Sequence, residues 1–462
     1  MRYILIVFII FLFSGCSSKK VELVEKECVQ KEVPKIIQIK PLEKICVKEK
    51  TNIPIYDLKN IPQNVDIFTT NIDENDIFYD IQKKYNINYF SAWSINKPTK
   101  SVEDVKWPFV SYRFGKSYGE NLQLHSKSFF DKMLKEANFK DYATINKKAI
   151  TLKYLNIRAF PTLKPLLLDP TKAGEGFPFD YLQNSSILAN KPVFISHYSL
   201  DRRWVYIFSS FASGWVQSDE IVVLKKEYID KWKKSKQIYI TKEGVPIYDT
   251  DARFLYVSKI GMSFALIDED SKNYIVLSVS KDAKNNPFFK KSKISKEISS
   301  SSILNLNKKN LANIINEVSK SKYGWGGMYE QRDCSSTLRD MFAPFGIWLP
   351  RNSYQQSKVG EVISLENLTN DEKVALIKEK AIPFKTLLYK KGHIVLYLGI
   401  YNDEIIIFHN TWGIKTMIDG VEGRIVIGKS IFSSLKLGEN QAGYDKNSEI
   451  LKNLKSINIL IN

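Results

Sequence analysis

Three side chains far apart in the sequence have the types that acyl-transfer chemistry needs: Cys334, His393 and His409. Cys334 follows the glycine-rich run Tyr323-Gly324-Trp325-Gly326-Gly327 and the polar pair Arg332-Asp333. After it, Leu338, Met341 and Phe342 recur at helical spacing until Pro344 and Gly346, which predicts a helix opened by Cys334. A thiol at a helix start feels the positive end of the dipole and unpaired amides, which favour the thiolate nucleophile. Such a thiol also needs a base within hydrogen-bond reach. Gly392 to Gly399 reads as a strand with His393 at its start, and Glu404 to Phe408 as the next strand, ending in His409-Asn410. If a three-residue loop, Tyr401-Asn402-Asp403, joins them, His409 sits opposite Val395 and diagonal to His393, and both rings share one face. A two-residue loop turns one ring away, so the residues alone leave open whether the pair acts together or simply packs. His125 reads as structural. His197, near Asp201 and Trp204, either faces a substrate groove or packs in a core. The four histidines show no Cys or His ligand spacing, so no metal and no cofactor is expected.

The elements that must position these groups extend over 462 residues, too long for one core, and the length prior gives about three or four domains. Hydrophobic content of 44% fits globular domains. The formal charge of +18 comes mostly from scattered lysine, which suits either a generally basic surface or attraction to an anionic partner such as wall polymer or phospholipid. No Arg-rich stripe or nucleic-acid motif accompanies it, so no nucleic-acid partner is expected. At the amino terminus Met1-Arg2 precedes an unbroken apolar run, Tyr3 to Phe13, too short to span a bilayer and shaped like the core of an export signal. Of the remaining cysteines, Cys28 and Cys46 flank a segment that a disulfide could close, which leaves Cys334 alone. Residues 16–65 are rich in Lys, Glu, Val and Pro and read as an extended tether. Residues 66–146 read as a small helical domain, and 147–226 and 227–298 as two successive small β-barrels built from short, evenly spaced strands. The serine run Ser299 to Ser302 reads as a polar linker opening the last domain, 299–445, and 446–462 as a basic helical or frayed tail.

Resemblances to known patterns sharpen this layout. Phe13-Ser14-Gly15-Cys16 resembles a bacterial lipobox, with Phe13 where leucine is usual, which implies removal of residues 1–15, lipidation of Cys16 and an envelope location. Ser17 and Ser18 resemble the residues that send such lipoproteins to an outer membrane. Asn156-Ile157-Arg158-Ala159-Phe160-Pro161-Thr162 with Gly214-Trp215-Val216, and Gly244-Val245-Pro246-Ile247-Tyr248 with Ile260-Gly261-Met262, resemble paired bacterial SH3-like domains. Tyr323-Gly-Trp-Gly-Gly, Arg332-Asp333-Cys334-Ser335, Leu349-Pro350-Arg351-Asn352-Ser353, Gly392-His393-Ile394 and Phe408-His409-Asn410 together resemble the papain-related NlpC/p60 family of cell-wall cysteine peptidases. The resemblance implies a multidomain fold: a helical N-terminal domain, two all-β SH3-like barrels and an α+β papain-like catalytic domain. It also implies a monomer that hydrolyses the bond from γ-D-glutamyl to the diamino acid of peptidoglycan stem peptides through a thioester. In that scheme Cys334 is the nucleophile, His393 the base, His409 the orienting third member and Tyr323 an oxyanion donor, while Ser335, Asn352 and Ser353 touch substrate. Relatives that require a free amino-terminal alanine carry an acidic residue after the Pro-Arg pair, and this chain has Asn352 there. An inactive wall-binding lipoprotein and a thioester acyltransferase are the competing expectations.

Overall fold

The computed structural model describes residues 54–69, 79–172 and 174–461. The export signal, the lipobox with Cys16, and the pair Cys28 and Cys46 lie outside these residues. Short helices, of which Tyr79–Tyr89 and Lys127–Glu136 are the longest, precede a seven-stranded antiparallel sheet. This first barrel runs, edge to edge, Gln183–Ile187, Leu155–Arg158, Ser213–Gln217, Trp204–Phe208, Pro192–Tyr198, Lys147–Thr151 and Ile221–Val223. Inward Val193, Ile195, Val205, Ile207 and Val216 alternate along the strands and close its core. The second barrel has five strands and a separate short hairpin, Pro246–Tyr248 with Phe254–Val257. Ser299 and Ser300, expected in a linker, instead pair with Ile240 and Tyr239 as the edge strand of this barrel.

The last sheet has six strands: Glu361–Ser364, Leu454–Ile459, Thr386–Lys390, His393–Tyr401, Glu404–Ile418 and Val421–Ser434. The Cys334–Phe342 helix packs on it through Leu338, Met341 and Phe342, all fully buried against Ile394, Leu396 and Phe408. Burying each such side chain contributes about 1.5–3 kcal/mol. Asp333 caps this helix: its carboxylate accepts from Ser336 N at 2.8 Å while Ser336 Oγ accepts from Asp333 N at 2.9 Å.

Two expectations about the ends are corrected. The supposed tail at 446–462 supplies Leu454–Ile459, an interior strand between Glu361–Ser364 and Thr386–Lys390. Its pattern misleads because Ser456 and Asn458 are buried polar residues, satisfied by each other at 2.7 Å and by Ser357 O, 2.7 Å from Asn458 Nδ2. Nor does the tether extend to 65. Residues 54–69 strap the catalytic domain: Asp57 accepts from Ser434 N at 2.7 Å and Gly438 N at 3.2 Å, and Gln63 exchanges two bonds with the backbone of Phe432. Ile61 and Val65 bury in its core. Ile55, Leu58 and Phe68 pack half-buried beside them, and apolar residues spaced this way among polar ones do not register as one amphipathic stretch.

Candidate active site

The hairpin carrying the histidines reaches its register by an unexpected route. Its loop has two residues, Asn402 and Asp403, both with positive φ, which alone would place His393 and His409 on opposite faces. An extra residue, Leu398, bulges between the pairs Tyr397↔Ile407 and Gly399↔Ile406 and shifts the register by one. Leu396 then faces Phe408, the pairing a three-residue loop would give, and the imidazoles meet: His393 Nε2 lies 2.8 Å from His409 Nδ1.

Behind them stands Ser433, on the neighbouring strand and fully buried. Its Oγ is 3.1 Å from His409 Nε2 and donates to Ser434 O at 2.9 Å. With its proton so used, Ser433 Oγ accepts from His409 Nε2–H, His409 Nδ1 accepts from His393 Nε2–H, and His393 Nδ1 is left with a lone pair. Burial pushes His393 down to about 3, helped by the charge of Lys390, and holds His409 well below its ordinary value with His393 beside it, so both rings are neutral near pH 7. A neutral imidazole with a free lone pair is a base ready to accept a proton.

The helix start treats the thiol differently from expectation. Burial, then the Asp333 carboxylate at the cap, push Cys334 up to about 12. The helix-start amides that would favour a thiolate are partly spent on Asp333, which adds a negative charge beside the sulfur. Ile394 N–H opposes this by bonding the thiol. The resting couple is therefore a neutral thiol and a neutral imidazole. Asp333 is in turn held by Arg351, whose Nη2 and Nη1 lie 2.6 and 3.2 Å from its two oxygens. Arg351 also donates to Ser335 Oγ at 3.0 Å and, across to the first barrel, to Ser185 Oγ at 2.7 Å.

Two cavities meet at Cys334. One, about 310 Å³, is lined by Cys334, Tyr323, His393 and His409, and also by Lys390 and Arg424. The other, about 520 Å³, shares Tyr323, Trp325, Cys334 and Gly392 with the first and continues past Ser335, Asn352 and Ser353. Burial and the nearness of Cys334 and Asp333 keep the Tyr323 phenol well above its ordinary value, hence protonated and able to donate. Asn352 caps the Ser353–Gln356 helix, its Oδ1 accepting from Gln355 N at 2.8 Å. Of the sequence-expected residues described here, Cys334, His393, His409 and Tyr323 converge on the first cavity, and Ser335, Asn352 and Ser353 lie along the second. His197 is not in either. It is fully buried, with its ring nitrogens 3.0 Å from Ala137 O and 3.1 Å from Ser196 Oγ, and so packs.

Sequence reasoning missed Ser433, Lys100 and Trp107. A serine on a long strand has no signal of its own. Lys100 and Trp107 come from the helical domain and reach the second cavity only through tertiary folding. The first barrel also walls the site: Trp325 Nε1 donates to Asp180 O at 3.0 Å and Tyr154 Oη to Gly327 O at 2.6 Å.

Four family models match the chain. Residues 5–142 match the N-terminal NLPC_P60 stabilising domain, 165–217 an SH3 domain of SH3b1 type, 226–271 an SH3 domain of SH3b2 type and 320–429 the NlpC/P60 family. Among curated proteins none matches. Among solved structures, a novel NlpC/P60 endopeptidase from Photobacterium damselae subsp. piscicida is 24% identical with a TM-score of 0.76, over 88% of this chain and 98% of that one, and shares its fold. An NlpC/P60 family protein from Bacillus cereus is 15% identical over 68% of this chain and 100% of that one, with a TM-score of 0.46.

Proposed function

For a chain that belongs to the NlpC/P60 family, with the catalytic domain set behind a stabilising domain and two SH3 domains, we propose a cysteine endopeptidase of peptidoglycan stem peptides. It hydrolyses the bond between γ-D-glutamyl and the diamino acid. The observation that carries this reading is the convergence of a helix-start thiol, a hydrogen-bonded histidine pair and a protonated tyrosine on one open cavity.

The residues divide the work as follows. Cys334 sulfur attacks the γ-carbonyl carbon as His393 Nδ1 takes the thiol proton, so the two charges form together rather than beforehand. The oxyanion is held by Tyr323 Oη–H and by Cys334 N–H, a first-turn amide without an intrahelical acceptor. Collapse breaks the C–N bond, and the imidazolium gives its proton to the departing amine. Water, deprotonated by the same nitrogen, then attacks the thioester and releases the γ-carboxylate and the thiol. His409 holds the ring plane and tautomer throughout.

The SH3 domains and the amino-terminal pattern at Cys16 support placing this chemistry in the bacterial envelope, lipid-anchored at Cys16, and Ser17 and Ser18 favour the outer over the inner membrane. The test is digestion of purified muropeptides followed by mass spectrometry. Wild type is expected to release diamino-acid-terminated fragments that Cys334→Ala does not. Equal digestion by both would end the proposal.

A further inference from the structure

Arg332 stands just before Asp333 and Cys334, yet its side chain reaches out of the catalytic domain. The residue is 2% exposed, and every N–H of its guanidinium meets an acceptor. Nε donates to Asp340 Oδ2 at 2.8 Å, Nη1 to Ser321 Oγ at 2.7 Å and Glu243 Oε2 at 3.0 Å, and Nη2 to Ile260 O at 3.0 Å and to Glu243 Oε1. Glu243 and Ile260 belong to the second barrel, Glu243 in the turn between Gln237–Ile240 and Pro246–Tyr248. The carboxylate is itself held in place: Ile260 N donates to Oε1 at 3.0 Å, and Glu243 N donates at 2.8 Å to Glu317 Oε2 on the Lys308–Ser319 helix.

The main chain of Arg332 joins the segments that carry the chemistry. Its carbonyl accepts from Gly324 N at 2.8 Å, next to Tyr323, and from Asn410 Nδ2 at 3.0 Å, next to His409. Its partner Asp340 lies on the helix that Cys334 opens. Charge explains why the barrel must contribute. Within the catalytic domain Arg332 and Arg339 both bond to Asp340, Arg339 through Nη2 at 2.8 Å. Two largely buried guanidiniums on one carboxylate leave a positive charge that burial makes costly, and Glu243 supplies the second negative one.

We infer that Glu243 is a positioning residue of the active site: acting through Arg332, the second barrel holds Cys334 in register with Tyr323 and His409. That barrel is then part of the catalytic unit, apart from any binding of wall polymer. The inference rests on the peptidase reading above and adds to it a residue from outside the catalytic domain.

The experiment compares purified wild type, Glu243→Gln, Arg332→Gln and the double variant at a temperature well below each melting transition. One measurement is kcat and KM on muropeptides. The other is the rate at which iodoacetamide alkylates Cys334, followed by mass spectrometry of the peptide that contains it, and it needs no substrate. Glu243→Gln is expected to lower kcat by about tenfold to a hundredfold, the scale of a misplaced reacting group, with KM nearly unchanged. It is also expected to slow alkylation at neutral pH, because the thiol loses its alignment with His393. The double variant, in which Arg339 and Asp340 balance, should lose no more than the worse single variant, since both residues act through one contact. A salt bridge that only stabilises would lower the melting temperature and leave kcat and alkylation of the folded molecule as in wild type. That result would overturn the inference, as would a change confined to KM or losses that add in the double variant. If Glu243→Gln does not fold, the charge-balanced double variant carries the same test. If wild type cleaves no muropeptide, the peptidase reading falls by itself and the alkylation rates decide the role of Glu243.

Discussion

Replacing Ser433 by alanine tests the histidine pair at its least obvious point. The side chain is fully buried and lies 3.1 Å from His409 Nε2. Removal leaves an imidazole N–H without an acceptor inside a ring that is 1% exposed, a loss of about 1–3 kcal/mol. The ring can escape this cost by moving its proton to Nδ1. Then His393 Nε2 must accept, its Nδ1 carries the proton, and the nitrogen toward the thiol is no longer a base. A bias of that size is worth about fivefold to 150-fold in tautomer population. Ser433→Ala is therefore expected to lower kcat by about tenfold to a hundredfold with KM nearly unchanged. Ser433→Thr, which keeps the hydroxyl, is expected to retain most activity. Imidazole nitrogen shifts in a histidine-labelled sample should place the His409 proton on Nε2 in wild type and mainly on Nδ1 in the alanine variant. A folded Ser433→Ala with wild-type kcat, or a wild-type His409 protonated at Nδ1, would refute the reasoning.

The other expectations concern stability and assembly of the site. His197, pushed down to about 4 by burial, and His409, held well below its ordinary value by burial, bind fewer protons folded than unfolded below the ordinary pKa of 6.5. The stability they confer is thus complete above pH 6.5 and declines as pH falls, by up to about 2 kcal/mol per histidine at pH 5. The depressed carboxyls Asp333 and Asp340 act only below their ordinary 3.8, so a calorimetric Tm that stays level from pH 6.5 to 5 would contradict the assignment. Deleting residues 454–462 removes Leu454, Ile457 and Ile459 from the sheet interior. At about 1.5–3 kcal/mol each, that loss should unfold the catalytic domain, and a truncated protein melting at the wild-type temperature would show otherwise. Gly327 has φ +85°, and a Cβ there would sit 1.9 Å from Ser186 Oγ. Gly327→Ala should displace the loop from the first barrel and lower activity, with part restored by Ser186→Gly; activity equal to wild type in the single variant would count against that contact.

Which features the sequence disclosed depends on the range of the forces that make them. The Cys334 helix is local: a cap, a stripe at Leu338, Met341 and Phe342, and a stop at Pro344 can all be read within about twelve residues. The histidine hairpin lies at the edge of legibility. The residues alone leave its face-sharing open, conditional on a three-residue loop that does not form; the bulge at Leu398 supplies the missing residue instead. Nothing in a run of apolar side chains announces where a strand takes an extra residue, since the bulge is selected by what lies opposite. The interior strand at Leu454–Ile459 failed for a related reason: Ser456 and Asn458 look solvent-facing until Ser357 O is found to satisfy the amide. Ser433, Lys100 and Trp107 lie further out still, as each gains meaning only from a partner on another element. Residues that perform bond-breaking are constrained in type and stand out as a motif. Residues that choose a tautomer or wall a cavity are constrained by position alone, and position exists only in the folded chain.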